Sequence, residues 1–360
     1  MSHKTVAFIT VHIGINVGSN LQAIATSEVL KKAGYDPILV NYIPPRVTSK
    51  RYWRDAFRSP KKLIWRFINF PSYFYQNLLF RNYLAKYTKQ THPIYADDDF
   101  AELLPKVDVY ITGSDQVWNF KWNEGFDGHY FFQGIHGRKI AYAASIGMDS
   151  LTDLEQDMLK QELDNYEKIS VREAKAVKLL SEIGFDSIQV IDPTLMLNCQ
   201  QWRAYIKKRI VKIPYILVYT PYNIKDKEQI YKTVRSVANA KGLQVVTFSW
   251  DYWGERLADK TIFYASPGEF LSLMYYADYV VTNSFHGTAF SINLNKQFWV
   301  YAPSMFSSRV SSIIRLLGLD NRMVDGYITT EAIDDNIDYD KVNQKLDVER
   351  ARAMSFLKDL

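Results

Sequence analysis

The hydrophobic positions of the first half alternate between short apolar runs and helical spacing. Residues 6–11 form a continuous apolar run, which is typical of a strand covered on both faces. Apolar residues then recur at helical spacing from Leu21 to Leu30, and Gly34 marks the end of that helix. The same reasoning predicts strands at 38–40, 107–112, 139–145, 168–171 and 187–191, and helices at 152–167 and 174–183.

The second half repeats this pattern. Its strands are predicted at 214–219, 244–247, 279–282 and 298–301, and its helices at 225–241, 267–276, 288–294 and 341–358. Strands that alternate with helices predict an α/β fold with two Rossmann-like domains, which we expect to face each other across a cleft. The predicted domains are 1–197 and 198–335, followed by a C-terminal segment, 336–360, whose helix is expected to pack back across the domains.

Polar residues follow several of the predicted strands directly. Ligands of doubly wound folds bind beyond the carboxyl ends of the strands, so these positions are candidate site residues. They are Asn16, Gly18 and Asn20, the segment 113–119, Arg172, Asp192, and the segment 283–288.

The segment 283–288 carries the sharpest signal, because a buried strand leads into Ser284-Phe285-His286-Gly287 and a helix. Backbone N–H groups at a helix start bind anions, and a glycine lets a ligand approach closely. Asn283, Ser284, Gly287 and Thr288 are therefore candidates beside His286, which can carry a proton near neutral pH. The alternative is a histidine that only caps the helix.

Arg172 opens a helix directly after a strand, where its planar guanidinium would suit a carboxylate or phosphate. The alternative is a surface salt bridge to Glu173 or Glu167. Arg309 is a weaker candidate of the same kind, with a solvated position on a helix as its alternative.

The segment Gly113-Ser114-Asp115-Gln116-Val117-Trp118-Asn119 combines an acid, two amides and an indole. Sugars bind such groups, because hydroxyls pair with carboxylates and amides while a sugar ring stacks on an aromatic side chain. The alternative is a tight turn in which Asp115 caps the next helix and Trp118 belongs to the core.

Other sites are disfavoured. Gly14 and Gly18 do not match the dinucleotide-binding fingerprint, and the sequence has no Walker motif and no set of Cys or His metal ligands. We therefore expect neither a metal nor a cofactor.

The single cysteine, Cys199, cannot form an internal disulfide, and the apolar run near the N-terminus is too short for a secretory signal, so a cytoplasmic location is expected.

The same motifs resemble those of the polysaccharide pyruvyltransferase family, in the family's order. The matching pieces are Asn16-x-Gly18-x-x-Leu21-Gln22, Gly113 to Asn119, Ser170-Val171-Arg172-Glu173, Asp192-Pro193-Thr194-Leu195 and Ser284-Phe285-His286-Gly287. The resemblance implies a GT-B-like fold and transfer of the pyruvyl group of phosphoenolpyruvate (PEP) to two hydroxyls of one sugar, forming a cyclic ketal.

The resemblance also implies roles for the candidate residues. The PEP site would contain Arg172, His286, Arg309, Asn283, Ser284, Gly287, Thr288, Asn16 and Gly18, and the acceptor site Asp115, Gln116, Trp118 and Asn119. The catalytic residues would be His286, which would act as general acid or assist phosphate departure, Asp115, which is the candidate base, and Arg172. The alternatives are a GT-B glycosyltransferase that uses a nucleotide sugar, and a binding module without catalysis.

Residues 46–90 stand apart in composition. They contain twelve aromatic residues and eleven Lys or Arg against one acid, Asp55, a local net charge of +10 that leaves −5 for the rest of the chain. This basic, aromatic segment, within a helical insert at 46–95, suggests a peripheral contact with an anionic membrane surface that would bring the enzyme to a lipid-linked acceptor. The alternatives are a helical pair packed on the first domain and nucleic-acid binding, which the polar residues at the strand ends do not support.

Overall fold

Two six-stranded parallel sheets, one from each half of the chain, form the framework of the protein. The computed structural model describes residues 4–57, 59–222, 227–249, 255–301, 307–324, 326–328 and 333–358. The first sheet has the order β2-β1-β5-β6-β7-β8. Its strands are β1 (Lys4–Ile9), β2 (Tyr35–Leu39), β5 (Val109–Thr112), β6 (Lys139–Ala144), β7 (Tyr166–Val171) and β8 (Ile188–Gln189), and a separate parallel pair is formed by β3 (Tyr42–Ile43) and β4 (Ile94–Tyr95).

Contacts divide the chain into a first unit, Met1–Met196 with Glu349–Leu360, and a second unit, Leu197–Val348. The helices of the first stretch are α1 (Val17–Lys32), α2 (Ser49–Ala56), α3 (Pro60–Tyr87), α4 (Phe100–Leu103), α5 (Asp153–Leu163), α6 (Ala174–Glu182) and α7 (Pro193–Met196). The sheet packs on α5 and α6 around Ile9, Ala141 and Leu159, each of which is fully buried.

The second sheet has the order β11-β10-β9-β12-β13-β14. Its strands are β9 (Tyr215–Tyr219), β10 (Gln244–Ser249), β11 (Lys260–Phe263), β12 (Tyr279–Thr282), β13 (Gln297–Tyr301) and β14 (Met323–Val324). The later helices are α8 (Cys199–Trp202), α9 (Lys227–Lys241), α10 (Pro267–Tyr276), α11 (Phe285–Asn293), α12 (Ser307–Leu317) and α13 (Tyr339–Lys358). Ile216, Val234 and Val281 lie in the core between this sheet and its helices.

The predicted α/β fold with two Rossmann-like sheets is confirmed, and so is the helical insert, which contains α2 and α3. The prediction missed β3, β4, β11 and β14, which are short or partly exposed. It also began one helix too late, because α11 starts at Phe285 rather than at Thr288. Residues 225 and 226 of the helix predicted at 225–241 lie outside the described residues.

Each sheet has a switch point, where successive strands are added on opposite sides. In the first sheet this point lies between β1 and β5, and in the second between β9 and β12. The carboxyl ends of the strands at a switch point open a crevice that binds ligands in doubly wound folds. The residues after β1, β5 and β12 therefore occupy the positions that the topology favours for function.

None of the helices in the described ranges combines the length and apolarity that crossing a bilayer requires.

Candidate functional site

At the switch point of the first sheet, the chain after β5 contacts the helix after β1. Asn16 caps α1, its side-chain oxygen accepting the Ser19 N–H at 3.2 Å, and Gly18 lies within the first helical turn rather than in a loop. Ser19, which is fully buried, donates its hydroxyl to Asp115 Oδ2 at 2.5 Å. Asp115 has a left-handed backbone with φ of 69°, a conformation that aspartate tolerates better than most residues. The loop therefore holds this carboxylate against α1.

Arg172 lies at the centre of a buried cluster of charges. Its Nη1 is 2.6 Å from Asp192 Oδ2, its Nε is 3.2 Å from Glu173 Oε1, and its Nη2 is 3.2 Å from Asp115 Oδ1. All four side chains are at most 5% exposed. The cluster joins residues that follow β5, β7 and β8, and it ties these strand ends together.

Hydroxyl groups complete the cluster. Asp192 accepts the Ser114 hydroxyl at 3.1 Å and the Thr194 hydroxyl at 2.6 Å, and Glu173 accepts the Ser145 hydroxyl. Buried carboxylates that accept several hydrogen bonds are held in fixed orientations. The cluster is therefore a rigid polar network and not a surface ion pair.

The charge of the Arg172 cluster is unbalanced, because three carboxylates face one guanidinium. Burial by itself would lower the pKa of the Arg172 guanidinium, but the three adjacent carboxylates raise that pKa above its usual value. Arg172 is therefore a permanent cation, and with ionised carboxylates the cluster is negative. An incoming anion would have to compete with three carboxylates for the guanidinium.

The sequence left two roles open for Arg172, a ligand-binding guanidinium and a surface salt bridge to Glu173 or Glu167. The arginine is not in a surface salt bridge, because Glu167 pairs instead with Arg138 at 2.9 Å in an exposed position. Nor does the guanidinium present a fork to a ligand, since each of its three nitrogens already faces a carboxylate. PEP binding by Arg172 stays a prediction.

Trp118 does not offer a stacking face to a sugar. It is 1% exposed, and its ring stacks on Phe131 with 5.7 Å between the centroids and 7° between the planes. The edge of Tyr166 covers it further. The expectation that Trp118 binds the acceptor is therefore corrected: the ring belongs to the core of the first unit.

Asn119 and Gln116 stabilise the loop from inside. The Asn119 amide donates to Gln116 Oε1 at 2.7 Å and to Gly147 O at 3.3 Å, while its oxygen accepts the Trp122 N–H at 2.9 Å. These bonds use both amide protons of Asn119 and its oxygen, and Asn119 is fully buried. In the first unit, Asp115 is thus the candidate acceptor residue that the network holds at the switch point.

At the switch point of the second sheet, short polar contacts fix the segment between β12 and α11. Asn283 donates its amide to Tyr222 O at 2.9 Å, which connects the segment to the chain after β9. Ser284 caps α11 by accepting the Gly287 N–H at 3.3 Å, and Thr288 donates its hydroxyl to Ser284 O at 2.9 Å. This segment is therefore pre-organised as the start of a helix.

His286 lies in the first turn of α11 and is 7% exposed, with its ring edge-on to Phe285 at 5.2 Å between centroids. Arg309 is the third residue of α12 and is 3% exposed. His286 therefore lies at the positive end of the α11 dipole, and Arg309 lies in the first turn of α12, the described helix that comes after β13 in the chain.

Gly287 is required by packing. A Cβ at this position would lie 3.0 Å from the Tyr219 ring and in overlap with the Thr282 hydroxyl oxygen. The glycine lets α11 approach β9 and β12 closely, so its role does not depend on a ligand.

The sequence analysis missed Ser19, which contacts Asp115. It named Asp192 as a candidate without a role, because Asp192 directly follows a strand, and it named Glu173 only as an alternative partner of Arg172; both contact Arg172. Ser19 had no usable signal, since a serine in the first turn of a helix is common. Convergence of Arg172 and His286 on one ligand stays a prediction.

Replacing Arg172 with methionine is expected to lower the free energy of unfolding by about 3–5 kcal/mol, because it leaves buried carboxylates without their cation. The control is Arg138→Met, which breaks an exposed pair and should cost less than about 1 kcal/mol. Urea denaturation of both variants measures the difference. Equal losses would show that the cluster is not a structural network.

Replacing Gly287 with alanine is expected to cost about 1–3 kcal/mol of stability by overpacking. Adding Thr282→Ala removes the overlapping hydroxyl, so the double variant should be more stable than the sum of the single effects predicts. Denaturation of the three variants tests this. An alanine at 287 that leaves stability unchanged would instead favour a role in ligand approach.

Comparisons with known proteins agree with this architecture. The fold is shared by the structure of UDP-N-acetylglucosamine 2-epimerase from Rickettsia bellii, with a TM-score of 0.55 and 11% identity over 99% of this chain and 97% of that chain. It is also shared by the structure of S. aureus MnaA with UDP, with a TM-score of 0.52 and 12% identity over 98% of this chain and 90% of that chain. A putative UDP-N-acetylglucosamine 2-epimerase from Listeria monocytogenes is similar, with a TM-score of 0.50 and 10% identity over 99% of this chain and 91% of that chain. At these identities the likeness shows the fold alone, which is GT-B-like.

No curated protein matches the sequence significantly. The family model of polysaccharide pyruvyl transferase matches residues 16–304, which is more than half of the chain and includes every candidate site residue except Arg309. The chain therefore belongs to the polysaccharide pyruvyl transferase family.

Proposed function

We propose that the protein transfers the pyruvyl group of PEP to two hydroxyls of one sugar, forming a cyclic ketal on a lipid-linked precursor of a surface polysaccharide. Membership of the family supports pyruvyl transfer. The observation that carries the assignment of roles is the contrast between the two switch points. One holds buried carboxylates, and the other begins a helix whose first turn carries His286, while Arg309 lies in the first turn of α12.

PEP carries a carboxylate and a phosphate, so it needs a positive site. The start of α11 supplies oriented N–H groups and a positive dipole end, and His286 and Arg309 add basic side chains. The Arg172 cluster is a poor site for the same ligand, because its carboxylates repel an anion. We therefore assign PEP to the second unit and treat Arg172 as a positioning residue.

The sugar acceptor fits the carboxylate at the first switch point. Asp115 already accepts a hydrogen bond from the Ser19 hydroxyl, and its orientation is fixed by Arg172. A carboxylate held in this way can accept the proton of a sugar hydroxyl as it attacks. Asp115 is thus the proposed general base, and Ser19 and Arg172 keep it in place.

The reaction balances with these groups and no cofactor. A proton from water adds to the methylene carbon of PEP, and a sugar hydroxyl bonds to C2 while its proton passes to Asp115, which returns it to water. The bond between C2 and the phosphate oxygen then breaks, with His286 donating a proton to the departing phosphate. The second hydroxyl bonds to C2 and gives its proton to the now neutral His286, which closes the ketal and restores the imidazolium, and the products are the ketal and inorganic phosphate.

Replacing His286 with alanine is expected to lower turnover by about 10²–10⁴-fold, the usual contribution of a general acid. The assay measures phosphate release from PEP that depends on an added lipid-linked glycan. His136→Ala, at an exposed histidine, is the control and should retain full activity. Unchanged turnover in the His286 variant would remove this residue from the mechanism.

Ligand binding separates the proposal from a glycosyltransferase that uses a nucleotide sugar. PEP at about 100 times its dissociation constant should stabilise the folded protein by about 2.7 kcal/mol, which raises the melting temperature. UDP and GDP sugars at the same concentration should leave the melting temperature unchanged. Stabilisation by a nucleotide sugar and not by PEP would overturn the proposed donor.

A further inference from the structure

Helix α3 carries an exposed apolar stripe that faces away from the protein. Its members lie on one face of the helix in two groups, 64–68 and 74–78, with the exposed Pro71 between them. They are Ile64 (62% exposed), Phe67 (65%), Ile68 (63%), Phe74 (61%), Tyr75 (52%) and Leu78 (45%). The stripe spans about 20 Å of helix, a length of exposed apolar surface that isolated surface residues do not create.

The remainder of α3 is already occupied. Tyr73 stacks on Tyr52 of α2 with 4.5 Å between ring centroids, and Phe70 contacts Trp53 at 5.1 Å. Further along the helix, Phe80 is buried against the first unit. Phe67 and Phe74 also contact Trp53 and Phe70, at 5.0 and 6.3 Å between ring centroids, but more than half of each remains exposed. Packing between α2 and α3 therefore does not cover the stripe.

Exposed cations lie near the stripe on α2 and α3. Helix α3 contains no acidic residue, and Lys61, Lys62 and Arg81 lie exposed on it. Arg54 is exposed on α2, while Arg58 lies outside the described residues. An apolar stripe flanked by cations matches a surface whose interior is apolar and whose outer layer is negative.

A cavity of about 840 Å³ opens beside the stripe, between α2, α3 and the segments 43–48 and 95–98. Phe74 and Leu78 belong to both the stripe and the cavity wall. The wall contains three acidic side chains, of which Glu124 pairs with Arg51 at 3.0 Å, and five cations: Arg46, Lys50, Arg51, Arg54 and Arg81. Its excess of cations suits a phosphate group next to an apolar chain.

We propose that α2 and α3 form a docking surface for a bilayer that contains anionic phospholipid. The stripe enters the interface between head groups and acyl chains, and the cavity accepts a head-group phosphate. Other occupants fit less well. A second copy would bring two strongly positive segments together, and a nucleic acid offers no apolar partner for Ile64 and Ile68.

Vesicle co-sedimentation of the full chain tests the proposal. Wild-type protein should sediment with vesicles of equal parts phosphatidylcholine and phosphatidylglycerol, and much less with phosphatidylcholine alone. The variant I64E/I68E should bind at least about tenfold more weakly, since two apolar side chains no longer enter the interface. Leu154→Glu, which alters an equally exposed apolar residue on α5, is the matched control and should bind like wild type.

A second variant tests whether the cavity binds a head-group phosphate. Arg54→Gln with Arg81→Gln should weaken binding to the anionic vesicles about fivefold for each lost cation, and added salt should reduce the difference. Both sites are exposed, and circular dichroism verifies that each variant is folded. Vesicle binding needs no turnover, so its failure would leave the proposed reaction untouched.

Four results would overturn the docking surface. The protein could stay in the supernatant with both kinds of vesicle, or I64E/I68E could sediment as wild type does. Sedimentation equilibrium could instead reveal a dimer that I64E/I68E abolishes, which would assign the stripe to a second copy. Binding of a labelled oligonucleotide without any vesicle binding would assign it to nucleic acid.

Discussion

The contact between the Arg172 guanidinium and three buried carboxylates is the constraint around which the first unit is arranged. It connects the ends of β5, β7 and β8, and through Ser19 it reaches the helix that follows β1. A buried cluster of this kind does not add much stability over an apolar core, but removing one partner is costly. Its value lies in orientation, because it fixes Asp115 at the switch point, where the topology favours a ligand.

The second unit reaches the same kind of position by different means. Its switch point is held by neutral hydrogen bonds from Asn283 and Ser284 and by the close approach of α11 that Gly287 permits. Two related sheets thus present opposite chemistry at equivalent places. This contrast suits a reaction in which one substrate is a small anion and the other an array of hydroxyls, since neither site would bind both well.

The sequence was sufficient for the buried strands and for the positions of the polar strand ends. Apolar runs predicted β1 and β12 because those strands are covered on both faces, whereas β11 was missed because its residues are half exposed. The role of Arg172 could not be predicted, because its three partners lie 1, 20 and 57 positions away and only the sheet order brings them together. Trp118 was misassigned because a tryptophan can stack on a sugar or pack in a core, and the sequence alone does not distinguish the two.

The role of the basic, aromatic segment also could not be decided from the sequence. Its composition alone fits packing on the protein and binding to a surface equally well, and the structure divides the segment between the two. Tyr52, Tyr73 and Phe70 pack together. Ile64, Ile68 and Leu78, on another face of α3, remain exposed. Leaving that much apolar surface in water is unfavourable, so the stripe implies an apolar partner. A bilayer is the partner that we propose, and if the acceptor is lipid-linked as proposed above, docking there would raise the local concentration of the acceptor.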